Sequence, residues 1–197
     1  MCASRTFGWS GFLSIRIIAP LGVAVLLAVG CSTSEPPSTP PTTTAGEAAH
    51  ELVLTRLIDV RRDKLFRCWI EPALIVQWFT PPPWKTIAAE VDARAGGASL
   101  ITMQGPDGTR MPNHGVYLEV VTNERLVFTD AYTSAWVPSA KPFFTGILTF
   151  EDEGGKTRYT ARARHWSAED CSAHEKMGFH DGWGVATDQL ARLAATL

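Results

Sequence analysis

The chain has 197 residues, 45% of them apolar, and a formal net charge of −2. That length and composition suit one globular domain with additions. The only charged side chains among the first thirty residues are the positive Arg5 and Arg16, so the rest is more acidic than the whole. Basic residues are scattered, with only Arg61 and Arg62 adjacent, which argues against a nucleic-acid partner.

The first thirty residues read as a signal peptide. Arg5 and Arg16 precede an apolar run, Ile17 to Gly30, interrupted only by Pro20. The run has the length of a signal-peptide core and is short for a membrane span, which takes about 20 residues. It ends in Leu26-Leu27-Ala28-Val29-Gly30-Cys31, which resembles a bacterial lipobox with its Leu displaced by one position. That pattern implies that Cys31 is lipidated and becomes the mature N-terminus, holding the protein on the extracytoplasmic face of the cell membrane. A plain secretion signal, an uncleaved anchor and a mis-assigned start codon are the alternatives.

Residues 31–49 form a linker. After Cys31 the sequence STSEPPSTPPTTTAGEAA has almost nothing to bury, so it cannot offset the entropy of ordering it. Its prolines favour an extended, semi-rigid tether, at about 3 Å per residue where fully polyproline-like. The folded domain is expected over 50–197.

Within it, Glu51 to Val60 reads as a strand with Leu52, Leu54, Arg56 and Ile58 on one face. Asp63 to Ile70 reads as a short helix, and Pro72 opens a second one, where a missing N–H costs nothing. Pro81-Pro82-Pro83 ends it. Strands are expected over Thr86–Ala93, Ala98–Gln104, Gly115–Val121, Arg125–Tyr132, Phe143–Asp152 and Thr157–His165. Turn signals separate them, including Gly96-Gly97, Pro106-Asp107-Gly108 and Gly154-Gly155. Short loops make sequential strands antiparallel neighbours.

One long helix is expected to close the chain. Ser167 is its predicted N-cap, followed by Glu169 and Asp170, which suit a positive helix end. Phe179, Trp183, Ala186, Leu190, Leu193 and Leu197 form an apolar stripe. Gly178, Gly182 and Gly184 interrupt it, and each costs about 1 kcal/mol relative to Ala inside a helix. Either they leave room for a ligand between helix and sheet, or they mark a break or a close helix–sheet contact.

The segments TFEDEGGKTRYT, EKMGFHDGWG and PNHGVYLEVVTNERLVFTD resemble bacterial proteins related to the C-terminal domain of the activator of the Hsp90 ATPase. LVLTRLIDVRRDKLFRCWIEPALIVQWFTPP resembles that family's first strand and helix pair. EVDARAGGASLITMQGPDG resembles its second hairpin, although Ala95 stands where the family has Pro before two glycines. The resemblance covers about Glu51 to Leu197. It implies a START-like (SRPBCC) helix-grip fold: an α+β architecture in which a curved antiparallel sheet wraps a long C-terminal helix, with two short helices after the first strand. The superfamily binds or processes many unrelated ligands, so fold alone does not give function.

A sheet gripping a helix points to a container for an apolar or amphipathic small molecule. Its candidate lining is Trp69, Trp78, Met103, Tyr117, Phe128, Phe144, Phe179 and Trp183, aromatic-rich as small-molecule sites are; the alternative for each aromatic is plain core. Trp136 falls in an expected loop, where it could cover a pocket mouth. An enzyme of the cyclase or hydrolase kind is the second reading, and would need convergent polar groups such as His114, Asp130 and Tyr117. A chaperone ATPase activator is the third, and requires that the N-terminus not be a signal, since an exported domain would not meet a cytosolic chaperone. No catalytic residue, cofactor or metal is assigned. Cys171 and His174 share a helical face, but catalytic zinc needs about three protein ligands. Cys68 and Cys171 read as separate thiols, with a disulfide permitted outside the cytoplasm.

Overall fold

The computed structural model describes residues 50–197. The expected signal peptide, Cys31 and the linker lie outside them. Strand β1 (Glu51–Ile58) is followed by helices α1 (Arg62–Ile70) and α2 (Pro72–Trp78). Then come β2 (Lys85–Val91), β3 (Ala98–Gln104), β4 (Arg110–Val121) and β5 (Arg125–Thr129). A small hairpin, β6 (Tyr132–Ser134) and β7 (Val137–Pro138), precedes β8 (Phe144–Glu153) and β9 (Lys156–His165). Helices α3 (Ala168–Lys176) and α4 (Phe179–Ala195) close the chain.

The seven long strands form one antiparallel sheet in the order β1-β9-β8-β5-β4-β3-β2. This is the α+β helix-grip architecture. Period-two alternation puts one face of each strand inward. In β1, Leu52, Leu54 and Ile58 are buried; in β8, Leu148 and Phe150; in β9, Tyr159, Ala161 and Ala163. The outer face is charged there, with Glu51 of β1 pairing with both Arg162 and Arg164 of β9. Helices α1, α2 and α4 cover the inner face. Leu65, Phe66, Trp69, Leu74 and Trp78 meet Leu190 and Ala194 of α4 in one core with Leu126, Leu148, Phe150 and Tyr159.

Four expectations change. The closing helix is two helices: Gly178 adopts φ 89, a left-handed conformation that glycine takes without steric cost, and the chain turns there. Ser167 caps α3 as predicted, accepting a 3.1 Å bond from the Asp170 N–H. On α4 the buried set is Phe179, Gly184, Thr187, Leu190 and Ala194, while Leu197 is exposed, because the helix ends at Ala195 and leaves it beyond the stripe. Strand β4 starts at Arg110 rather than Gly115, because β3 pairs back as far as Gln104 opposite Arg110 and carries Pro112 into the ladder. Strand β5 stops at Thr129, where the Asp130 side chain takes over the backbone bonding by accepting the N–H groups of Phe143 and Phe144. Cys68 and Cys171 are both free thiols.

Candidate ligand cavity

Helix α4 packs against α1, α2 and β1, and residues of α4, the helix pair, β3, β4, β5 and β8 border an open space. The space left between them is a cavity of about 620 Å³. All eight residues expected to line a ligand site do line it: Trp69, Trp78, Met103, Tyr117, Phe128, Phe144, Phe179 and Trp183. The helix pair supplies the two tryptophans, the sheet supplies Met103 to Phe144, and α4 supplies Phe179 and Trp183.

Six of them form a continuous aromatic wall. Trp78 meets Trp69 edge-on at 4.7 Å between ring centroids, and Trp69 reaches Phe128 at 6.1 Å. Phe128 meets Phe144 at 6.0 Å, Phe144 meets Trp183 at 6.2 Å, and Trp183 meets Phe179 at 5.0 Å. Such contacts hold rings at fixed angles, so the wall is preformed. Trp69, Trp78, Tyr117 and Phe179 are buried and make the deep end, while the exposed Met111, Pro112, His114 and Met177 make the rim.

The polar groups are few. Burial pushes the Tyr117 hydroxyl up to about 12, and it raises Tyr159 further, so both are neutral phenols. The Trp78 indole donates a 2.9 Å bond to the Cys68 carbonyl. The Trp69 indole N–H is buried and leans toward the Tyr159 hydroxyl without meeting hydrogen-bond geometry. Thr129 donates to the Phe144 carbonyl at 3.3 Å, and Thr187 to the Trp183 carbonyl at 2.7 Å. Cys68, behind the wall, is raised to about 11 by burial, so it is a thiol and not a nucleophile at neutral pH.

The polar trio considered for chemistry is placed as follows. His114 sits exposed at the rim, Tyr117 is deep, and the Asp130 carboxylate is tied to the backbone N–H groups of Phe143 and Phe144 at 2.9 and 3.2 Å. Trp136 does not reach the mouth. Its own φ is 61, and the ring lies against Tyr132 and over Gly96, 64% exposed. His174 turns its Nδ1 to His165 Nε2 at 2.9 Å, while Cys171 stays on the same short helix as a free thiol. His174, considered above only as a metal ligand, lines the cavity together with Phe143, Tyr159, Thr129 and Thr187, none of them among the expected lining; His165 stands behind His174. His165 and His174 lie on a strand and the following helix, so only the corner between them brings the rings together.

A sheet gripping a helix over an aromatic cavity defines a START-like domain. Residues 59–195 match the family described as Activator of Hsp90 ATPase homolog 1-like protein. The chain belongs to that family. Protein NE0264 from Nitrosomonas europaea is similar at 36% identity over 76% of this chain and 96% of its own, with a TM-score of 0.73. Protein Ms6760 from Mycobacterium smegmatis shares the fold at 23% identity, covering 75% of this chain and 91% of its own, with a TM-score of 0.64. So does an AHSA1-like protein from Aeromonas hydrophila at 17% identity, covering 74% and 92%, with a TM-score of 0.58. No curated protein matches the chain.

Proposed function

We propose that this protein is an exported, lipid-anchored binding protein that holds an apolar or amphipathic small molecule in the cavity between the sheet and α4. The carrying observation is the 620 Å³ space walled by six mutually packed aromatic rings. A space of that size falls within the range of small-molecule sites, roughly 300–1,000 Å³, and its apolar wall would release ordered water on binding. The anchor follows from the Arg-flanked apolar run, Cys31 and the Pro-rich tether after it.

Native mass spectrometry of residues 50–197, purified without detergent, tests the container. The expected result is a co-purifying small molecule, or a uniform mass shift on adding an apolar probe, with tryptophan emission moving as the probe fills the wall. A protein that takes up no apolar probe at saturating concentration would sink the reading.

A further inference from the structure

His174 is a cavity-lining group whose hydrogen-bonding sense is set by a chain of neighbours. His165 Nδ1 lies 3.2 Å from the His50 carbonyl oxygen. A carbonyl only accepts, so that nitrogen carries the proton. In the neutral ring His165 Nε2 is then a lone pair, and it sits 2.9 Å from His174 Nδ1. His174 Nδ1 must donate, which leaves the lone pair of a neutral His174 on Nε2. His174 lines the cavity, with Phe143 at 5.3 Å, Phe144 at 5.5 Å and Phe179 at 5.1 Å around its ring. Its Nε2 makes no hydrogen bond among the described residues, and it is not one of the sealed, unpartnered polar atoms.

We infer that His174 Nε2 is the acceptor for a hydroxyl on the bound molecule, so that the ligand class is an uncharged hydroxylated hydrocarbon, and not a carboxylate, a phosphate ester or an ammonium. This rests on the reading of the cavity as a ligand site. Three further facts carry it. Among the described residues the lining includes no Lys or Arg, so an anionic head would find no cation. The Asp130 carboxylate stands on the same wall and repels an anion, while its oxygens are already taken up by two backbone N–H groups. The ring faces attract an ammonium, but it gives up far more hydration than a neutral hydroxyl, and the Asp130 oxygens that would replace that water are bonded to backbone N–H groups. Burial and the neighbouring His165 hold His174 down at about 4, so its ring stays an acceptor at neutral pH.

Four probes of one ring system separate the possibilities: naphthalene, naphthol, naphthoate and naphthylmethylammonium, titrated into the full-length protein at neutral pH. Naphthol should bind roughly fivefold more tightly than naphthalene, the value of one net hydrogen bond, and both charged probes more weakly than either. His174→Asn keeps a donor at the position of Nδ1 for His165 and removes the Nε2 acceptor. It should bring the ratio of naphthol to naphthalene affinity down to about one, whatever the change in either alone, and His174→Gln, which reaches the Nε2 position, should restore part of that ratio. Equal binding of naphthol and naphthalene by the native protein, tighter binding of either charged probe, or a preference that survives in His174→Asn would overturn the assignment while leaving the cavity reading intact. Binding of none of the four would overturn both.

Discussion

Phe128 of β5 lies flat across Gly146 of β8, its partner in the ladder, so closely that a β-carbon at Gly146 would overlap the ring. The absence of a side chain on β8 is what lets an aromatic lie along the sheet as cavity wall. Gly146→Ala should push the Phe128 ring off the sheet and into the cavity. Overpacking of this kind costs about 1–3 kcal/mol, and here the low end is expected because the ring has open space to enter. Thermal unfolding should show that modest loss, with a much larger loss of apolar-probe binding. Unchanged probe affinity would mean that Phe128 does not border the bound molecule.

The two tryptophans of the helix pair should respond differently to the same change. Trp78→Phe removes a buried 2.9 Å hydrogen bond and leaves the Cys68 carbonyl without its donor. Trp69→Phe removes an N–H that has no well-formed partner. Both lose similar volume, so the difference isolates the bond. Trp78→Phe should be the more destabilising by about 1 kcal/mol in denaturant unfolding. A reversed order would show that the Trp69 N–H is satisfied in solution, by Tyr159 or by the ligand.

Gly178 and Gly182 predict opposite signs. Gly178 has φ 89 at the corner between α3 and α4, and a β-carbon there would meet nothing within 4 Å. The penalty of Gly178→Ala is therefore backbone strain alone, about 1–2 kcal/mol, and Gly178→Asn should cost less. Gly182 lies inside α4 and also has open space around it. Gly182→Ala should stabilise the protein by about 0.5–1 kcal/mol while narrowing the cavity it lines. Melting temperatures of the pair, with probe affinity for Gly182→Ala, check both halves.

Stability should fall on mild acidification through His174. Its ring titrates at about 4 in the folded protein, against 6.5 for the free group, because burial and His165 disfavour the charged form. Between those values the unfolded chain binds the proton and the folded one does not, so stability rises with pH across the window and is lost as pH drops through it. His174→Asn has no such titration. Its unfolding midpoint should fall less steeply than that of the native protein from about pH 6.5 to 4. Parallel profiles would assign the acid sensitivity to other groups.

The anchor has its own test. Cys31→Ala should abolish lipid attachment and release the chain from the membrane fraction of a bacterial host. Native protein without lipid, together with a variant that still sediments with membrane, would rule out the lipobox.

Several features of the site were legible because they depend on local pattern. Trp69 and Trp78 fall on the inward sides of two short helices, and Phe179 and Trp183 share a face four residues apart, so their convergence on one interior follows from helical period. Tyr117 and Phe128 fall at inward positions of strands for the same reason at period two. Trp136 shows where this logic stops. An aromatic in a loop has no period, and its positive φ sends the ring over Gly96 and away from the mouth.

The sequence by itself determined the order of the long strands and helices, the inward residues of most of them and the aromatic character of the interior, since each is a property of neighbours along the chain. Only the tertiary structure decided that the closing helix breaks at Gly178, that β5 yields its backbone bonds to Asp130, and that His165 and His174 meet beside Phe143. The last two depend on groups 9 to 14 residues apart brought within hydrogen-bond reach by the corner of a strand and a helix or by adjacent strands. The volume of the cavity is of the same kind. It is the space left between α4, the helix pair and strands β3, β4, β5 and β8, and no stretch of chain encodes a distance between two surfaces that packing alone sets.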